Sequence, residues 1–438
     1  MTLLFTNCTI LPMTGEQTPD EFVGAVGVVD NRLALVSADP VRIEAFRRDY
    51  PDRQEIDAAG KLLMPGLINT HCHVAMTLQR GYADDIPLMS WLHDYIWPFE
   101  AKQTPDEIEL GAELGIVEML LGGTTLFVDM YWSEHRIAEA VRRLGIRAML
   151  GACYLDGNWD TFQDDLNRLM AISSECSRIR PVVAPHAPYS CAPETLQRGK
   201  ELARNLGLLY TIHIAETQDE VKQIQERYGT TPTRHLDALG VLDDRTIGAH
   251  CVHVTDEDIR ILKERGVAVA HNPQSNMKIS SGVAPIARMR REGVLCTIAT
   301  DGTCSNNDLD MWDEMRSATF LQKVSTMDPV VLPAYEILKM ATVDAARAVG
   351  MAGELGVIRE GALADFILID LCKPHLMPVH NLVANLVYCA NAADVDTVVV
   401  DGRIVVEERR VNGVDVAALC RRAQQAADRI VRRVAESK

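Results

Sequence analysis

Two histidines lie one residue apart in "GLINTHCHVAM", His71 and His73, just after the apolar run "KLLMPGLI" with its Pro-Gly pair. Side chains at i and i+2 of an extended strand share a face, so the two imidazoles converge on one point, as two ligands of a single cation would. Strand alternation turns Cys72, between them, away, and it reads as packing. Polar residues recur at similar positions further along: His186 ends "VVAPH", His213 sits in "LLYTIHIAE", His250 ends "TIGAH", His271 ends "VAVAH" and Asp301 ends "LCTIATD". Each alone reads more readily as a core histidine or a helix cap. Together they point to a metal site. Imidazoles and one carboxylate without clustered thiolates suit a single Zn(II), with Fe(II) or another divalent transition metal as alternatives.

These residues need a scaffold that gathers strand ends. The middle of the chain alternates short apolar runs, such as "TTLFVDM", "RAMLGACY" and "VLCTIATDGT", with helix-like stretches such as "TPDEIELGAELGIVEMLLGG" and "TDEDIRILKERG", where Thr255 is an expected N-cap. Counting the strand that leads to His71, the pattern gives eight βα units. The expected fold is therefore α/β, a (β/α)8 TIM-like barrel over residues 61–354, whose active site lies at the C-terminal strand ends. Near both termini the pattern changes to valine-rich runs around the turn pairs Asp30-Asn31 and Asp401-Gly402. Residues 1–60 and 355–412 are expected to form one small β-sandwich domain, and residues 413–438 a C-terminal amphipathic helix.

Composition narrows the function classes. In 438 residues, 44 Lys plus Arg against 61 Asp plus Glu give a formal charge of -17, which argues against nucleic acid or an anionic membrane as partner. Apolar residues make up 47 % and charged residues 24 %, as in ordinary globular proteins. The N-terminal stretch has neither a basic region nor a small-residue cleavage site, and no run is long enough to span a membrane. Eleven scattered cysteines without a C-x-x-C pair read as reduced thiols, so the expected location is cytoplasmic and the sequon at Asn7 carries no meaning. No dinucleotide fingerprint follows the first strand, and no phosphate-binding P-loop occurs.

The segments "THCH", "HIAET", "AHCVHV", "HNPQSNMKISSGVAPI" and "ATDGTCSNNDLDM" resemble the amidohydrolase superfamily, and within it the methylthioadenosine/S-adenosylhomocysteine deaminases. The resemblance spans roughly residues 60 to 350. It implies metal ligation by His71, His73, His213 and Asp301. Two-metal members place a carboxylated lysine or a glutamate where this chain has His186, so a one-metal site is expected. The implied reaction is hydrolytic deamination of an adenosine-type nucleoside. Asp301 and His250 would orient water and accept its proton, and Glu216 would carry a proton to the ring nitrogen. For Glu216 the plain alternative is a carboxylate at a helix N-terminus.

By the same resemblance Glu100, in "MSWLHDYIWPFEAK", would accept hydrogen bonds from ribose hydroxyls, with His186 and Arg147 also on the substrate side. Trp91 and Trp97 serve equally well as pocket walls or as packing. Some members carry a further arginine for the homocysteine carboxylate; "YLDGNWD" has none, which sets S-adenosylhomocysteine behind methylthioadenosine and adenosine. Asn276, Ser305 and Asn306 match family motifs but also suit loop bracing. His253 and His271 read as supporting or structural, and His93, His135, His235, His375 and His380 carry no pattern. The same barrel could instead act on guanine, a pterin or a chlorotriazine, or serve as a non-catalytic scaffold. The expected partners are a small-molecule nucleoside and further copies of the chain in a homo-oligomer.

Overall fold

The computed structural model describes residues 1–15, 19–86 and 88–437; Lys438, the last residue of the expected terminal helix, lies outside them. Eight parallel strands form the body of one sheet. They are β1 (Leu67–His73), β2 (Thr124–Tyr131), β3 (Arg147–Tyr154), β4 (Ile179–Pro185), β5 (Leu209–Ile214), β6 (Thr246–His250), β7 (Ala268–His271) and β8 (Leu295–Ile298), each paired with the next. They fall on the eight apolar runs of the sequence. Beyond β8 the chain makes a two-residue strand, Asp301–Gly302, which pairs in parallel with Cys72 and His73 of β1. Asn69 Nδ2 also donates to Thr300 Oγ1 at 2.8 Å, and the Thr70 and Thr297 hydroxyls meet at 2.7 Å. These contacts close the barrel through the segment that carries Asp301.

The apolar side chains of Leu126, Val128, Met149, Val182, Leu209 and Ile247 pack into one cluster, joined by Ala345, Val349 and Met351 from the chain after β8. This is the filled interior expected of a small barrel, and it leaves the C-terminal strand ends as the open face. Thr255 begins the helix Asp256–Arg265 with a capping box, as expected, and Thr104 does the same for the helix Pro105–Leu121.

The chain ends meet in a second, nine-stranded sheet. The antiparallel pair Phe22–Val29 and Arg32–Ser37 turns at Asp30-Asn31, and Val395–Val400 with Arg403–Glu407 turns at Asp401-Gly402, as the turn residues predict. The sheet is continuous and curls over a core of Leu3, Val26, Val28, Phe366, Leu368 and Val399. Phe5 and Phe366 meet edge to face with centroids 5.2 Å apart. One boundary and one element differ from the sequence expectation. The strand Lys61–Pro65 pairs with Phe366–Asp370 in this sheet rather than opening the barrel. The break falls at Gly66, where any Cβ would collide with Thr125. A helix, Pro40–Asp49, also interrupts the β unit; it buries a single aromatic, Phe46, so its apolar periodicity is faint.

The terminal helix Val416–Glu436 buries Leu419, Ala423, Ala426, Ile430 and Val434 along one face. Arg422 pairs with Glu113 and Arg433 with Glu107, both on the helix Pro105–Leu121. Among the described residues no helix is long and apolar enough to cross a membrane.

Arg147 corrects a sequence expectation. It starts β3, at the barrel end opposite the histidines, about 23 Å of strand away at 3.3 Å per residue. Its Nε donates to Asp365 Oδ2 at 2.9 Å, and its Nη2 donates to Asp365 Oδ1 at 3.0 Å and Asp401 Oδ1 at 3.1 Å. The guanidinium therefore ties the barrel floor to the second sheet and does not reach substrate. Replacing Arg147 with Met leaves two carboxylates without their cation, an expected loss of about 3–5 kcal/mol in chemical denaturation. The kcat/KM per folded molecule should stay within about twofold; a large kinetic loss at unchanged stability would contradict this placement.

Candidate metal centre and active site

The C-terminal strand ends bring His71, His73, His213, His250 and Asp301 together. The ligating atoms of His71, His73 and His213 all lie within 4.8 Å of one another, and so do those of His71, His250 and Asp301. Asp301 Oδ1 stands 3.2 Å from His73 Nε2 and 3.6 Å from His71 Nε2. The rings of His71 and His213 meet edge to face at 4.9 Å.

The hydrogen bonds behind the cluster decide which atoms face inward. His73 Nδ1–H donates to the Met130 carbonyl at 2.6 Å, and His213 Nδ1–H to the His186 carbonyl at 2.6 Å. Each bond fixes the tautomer that leaves Nε2 with a lone pair. Asp301 Oδ2 accepts from the Ser275 hydroxyl at 2.6 Å and from Ser305 at 3.1 Å, which leaves Oδ1 for the imidazoles. His71 is fully buried, and neither ring nitrogen has a hydrogen-bond partner. An unsatisfied imidazole deep in a polar cluster fits a metal ligand better than a packing residue. The four groups expected to bind metal thus fit one small divalent ion.

The chain pays for this convergence in backbone strain. His250 (φ 71°), Cys251 (φ 48°), Ala215 (φ 50°) and Asp301 (φ 64°) all adopt left-handed conformations that non-glycine residues avoid, at about 1–3 kcal/mol each. Local bonds hold them: Cys251 N–H donates to the Ile214 carbonyl at 2.9 Å, and His253 N–H to that of Ala215 at 2.9 Å.

A cleft of about 590 Å³ opens above the cluster, and Glu100, His186, Glu216, His250 and Asp301 all line it. His250 Nε2 lies 3.9 Å from both Glu216 Oε2 and Asp301 Oδ2, while its Nδ1 is held by Asn276 Oδ1 at 2.9 Å. Burial pushes the Glu216 carboxyl up, opposed in part by the charge on His250. Burial alone would raise Asp301 too, but the surrounding His71, His73 and His250 hold it well below the usual carboxylate range. Two carboxyls in one cleft thus differ in proton affinity, the arrangement that separates an acid from a base. Burial also raises Glu100, countered by hydrogen bonding from Tyr131 and Gln79. His186 is pushed down to about 4 by burial and the neighbouring charge of His73, so it is neutral near pH 7; its Nδ1 meets Ser190 Oγ at 2.8 Å.

Trp91 and Trp97 both line the cleft, and Trp91 also packs with Ala83, Ile96 and Cys304. Cys72 faces the outer core, as alternation predicts. His271 is buried outside the lining with neither nitrogen partnered, and His253 Nε2–H donates to the Ser281 carbonyl at 2.6 Å. Asn306 braces its loop by donating to the Thr300 carbonyl at 2.8 Å.

Sequence reasoning missed Ser275 and Glu220. Ser275 lies in "HNPQSN", but nothing local aims its hydroxyl at Asp301. Glu220 follows Thr217 at capping-box spacing, a legible signal, yet its carboxylate reaches further back. It accepts from the Ala215 and Glu216 N–H groups, both at 2.8 Å, and so pins the strained turn that presents Glu216.

A barrel with histidines and an aspartate gathered at its strand ends defines a metal-dependent hydrolase scaffold, and the chain belongs to the amidohydrolase family, whose profile matches residues 62–405. It is 45% identical over 418 residues to a 5-methylthioadenosine/S-adenosylhomocysteine deaminase of Desulforamulus reducens, covering 94% of this chain and 95% of that one. A protein of the same name from Syntrophomonas wolfei is 46% identical over 381 residues, covering 86% and 88%. An adenosine deaminase of Xanthomonas campestris, solved with bound zinc, matches with a TM-score of 0.92 and 35% identity over 98% of both chains. Atrazine chlorohydrolase of Arthrobacter aurescens, complexed with zinc, shares the fold with a TM-score of 0.86 at 24% identity, covering 97% of this chain and 100% of that one.

Two measurements test this construction. Ser275→Ala removes the shorter of the two hydrogen bonds to Asp301 Oδ2 and should weaken zinc affinity about 10–100-fold in a competitive chelator titration; unchanged affinity would remove Ser275 from the site. Burial pushes Glu220 up to about 7. The folded state therefore holds its proton more tightly than the unfolded one, whose carboxyl titrates near 4.3. The stability this proton contributes is fully present below that value and lost as pH rises through about 7. Glu220→Gln should flatten the fall in melting temperature between pH 5 and 7, and an unaltered slope would refute this origin.

Proposed function

We propose that the chain is a metal-dependent deaminase that converts an adenosine-type nucleoside and one water to the inosine analogue and ammonia. The observation that carries this reading is Glu216, a carboxyl raised by burial that faces His250 and, beyond it, the low-lying Asp301 across one cleft. Hydrolytic deamination needs both an acid for the ring nitrogen and a base for water, and these two carboxyls supply them.

His71, His73, His213 and Asp301 would hold the ion, zinc by donor type. When bound, such an ion supplies Lewis acidity that lets water ionise near neutral pH. Glu216 gives its proton to the ring nitrogen beside the carbon that bears the amino group, as water adds to that carbon. Asp301 and His250 flank the water, accept its first proton and return it to the amino group, which leaves as ammonia; the second proton restores Glu216 as the carbonyl forms. Glu100, in the same cleft, accepts hydrogen bonds from the ribose hydroxyls. His186, neutral, offers Nε2 to the substrate. The names of the deaminase relatives and the adenosine deaminase likeness support a nucleoside over a triazine, for which the likeness is one of fold. Eleven free cysteines support a reducing cytoplasm. The exposed apolar side chains of Phe320, Val324, Met327 and Val330 support assembly into a homo-oligomer.

Glu216→Gln should lower kcat for adenosine or methylthioadenosine by about 10²–10⁴-fold, with zinc content per subunit unchanged, as read by ammonia release and metal analysis. Turnover near the wild-type rate in that variant would reject the assignment.

A further inference from the structure

The cleft has a pronounced charge bias. Five carboxyl residues line it, Glu100, Glu216, Asp219, Glu220 and Asp301, and among the described residues the lining holds neither lysine nor arginine. Arg147, the basic residue expected on the substrate side, is bound to Asp365 and Asp401 at the opposite end of the barrel. Lys278, next in sequence to the lining residue Ile279, is bound to Asp84 and Asn307. Histidines and a few neutral polar side chains share the rest of the wall with an apolar group, Met76, Trp91, Leu92, Ile96, Trp97 and Cys304.

Resting on the deaminase reading, we propose that the cleft selects adenosine-type nucleosides whose 5′ substituent is uncharged, a hydroxyl or an alkylthio group, and discriminates against a 5′ substituent that carries a carboxylate. Beyond the ion and the histidines at its base, the described lining offers a carboxylate taken from water no lysine or arginine, only carboxyl groups. Leaving a desolvated charge unpaired is among the most costly changes a binding site can impose. An alkylthio group loses little on leaving water and gains contact with the tryptophan and aliphatic wall. An ammonium on the same substituent would find acidic partners such as Asp219, but it does not remove the carboxylate's penalty.

The test compares the zinc-loaded enzyme on adenosine, 5′-methylthioadenosine, 5′-butylthioadenosine and S-adenosylhomocysteine by kcat/KM for ammonia release. The butylthio compound matches the length of the homocysteine arm without its charges. The expected result is a butylthio value within tenfold of the methylthio value, with S-adenosylhomocysteine more than tenfold below both. If S-adenosylhomocysteine lies within tenfold of methylthioadenosine, the charge argument is overturned while the deaminase reading stands. If both long substituents fall together, length rather than charge sets the limit, and the inference is equally overturned. Release of ammonia from none of the four would instead reject the deaminase reading itself.

Discussion

A carboxylate held ionised among imidazoles is the interaction on which the rest depends. Asp301 is nearly inaccessible to solvent, and burial alone would favour its neutral form. Its Oδ1 faces His71 and His73, and its Oδ2 is satisfied by two serine hydroxyls. The backbone of the same residue closes the barrel by pairing with Cys72. Ring closure and the ligand set are therefore one construction.

The cost of that construction falls on the cluster and on its neighbours. His250 and Asp301 within it and Ala215 and Cys251 beside it adopt left-handed conformations, and backbone bonds to Ile214 and Ala215 hold the adjoining turns. Glu220 secures the turn before Glu216, and Asn276 fixes the ring of His250. The scaffold in this way sets orientation and proton affinity together. Glu216 is raised because it is enclosed, whereas Asp301 is lowered because its enclosure is lined with positive or protonatable rings.

Charge is partitioned along the barrel axis. At the floor, Arg147 neutralises Asp365 and Asp401 where the two sheets meet. At the open face, carboxyls and histidines surround the cleft without a permanent cation in its described lining. A metal ion is the natural counter-charge at that end, and the acidic lining then acts on whatever substituent the substrate extends beyond it.

The sequence by itself determined the eight strands, the two hairpin turns, the terminal helix and the strand-end histidines. These depend on local periodicity, turn chemistry and the alternation of faces, which short segments encode. It could not determine that Lys61–Pro65 leaves the barrel, because an apolar run does not say which sheet it joins. Nor could it place Arg147: an arginine at the start of a strand has the same local pattern whether it meets substrate or two aspartates brought in from residues 365 and 401. The aim of Ser275 and Glu220 likewise follows from backbone turns and long-range packing. Partner choice between distant residues is fixed by how the chain closes on itself, and only the tertiary structure decided it.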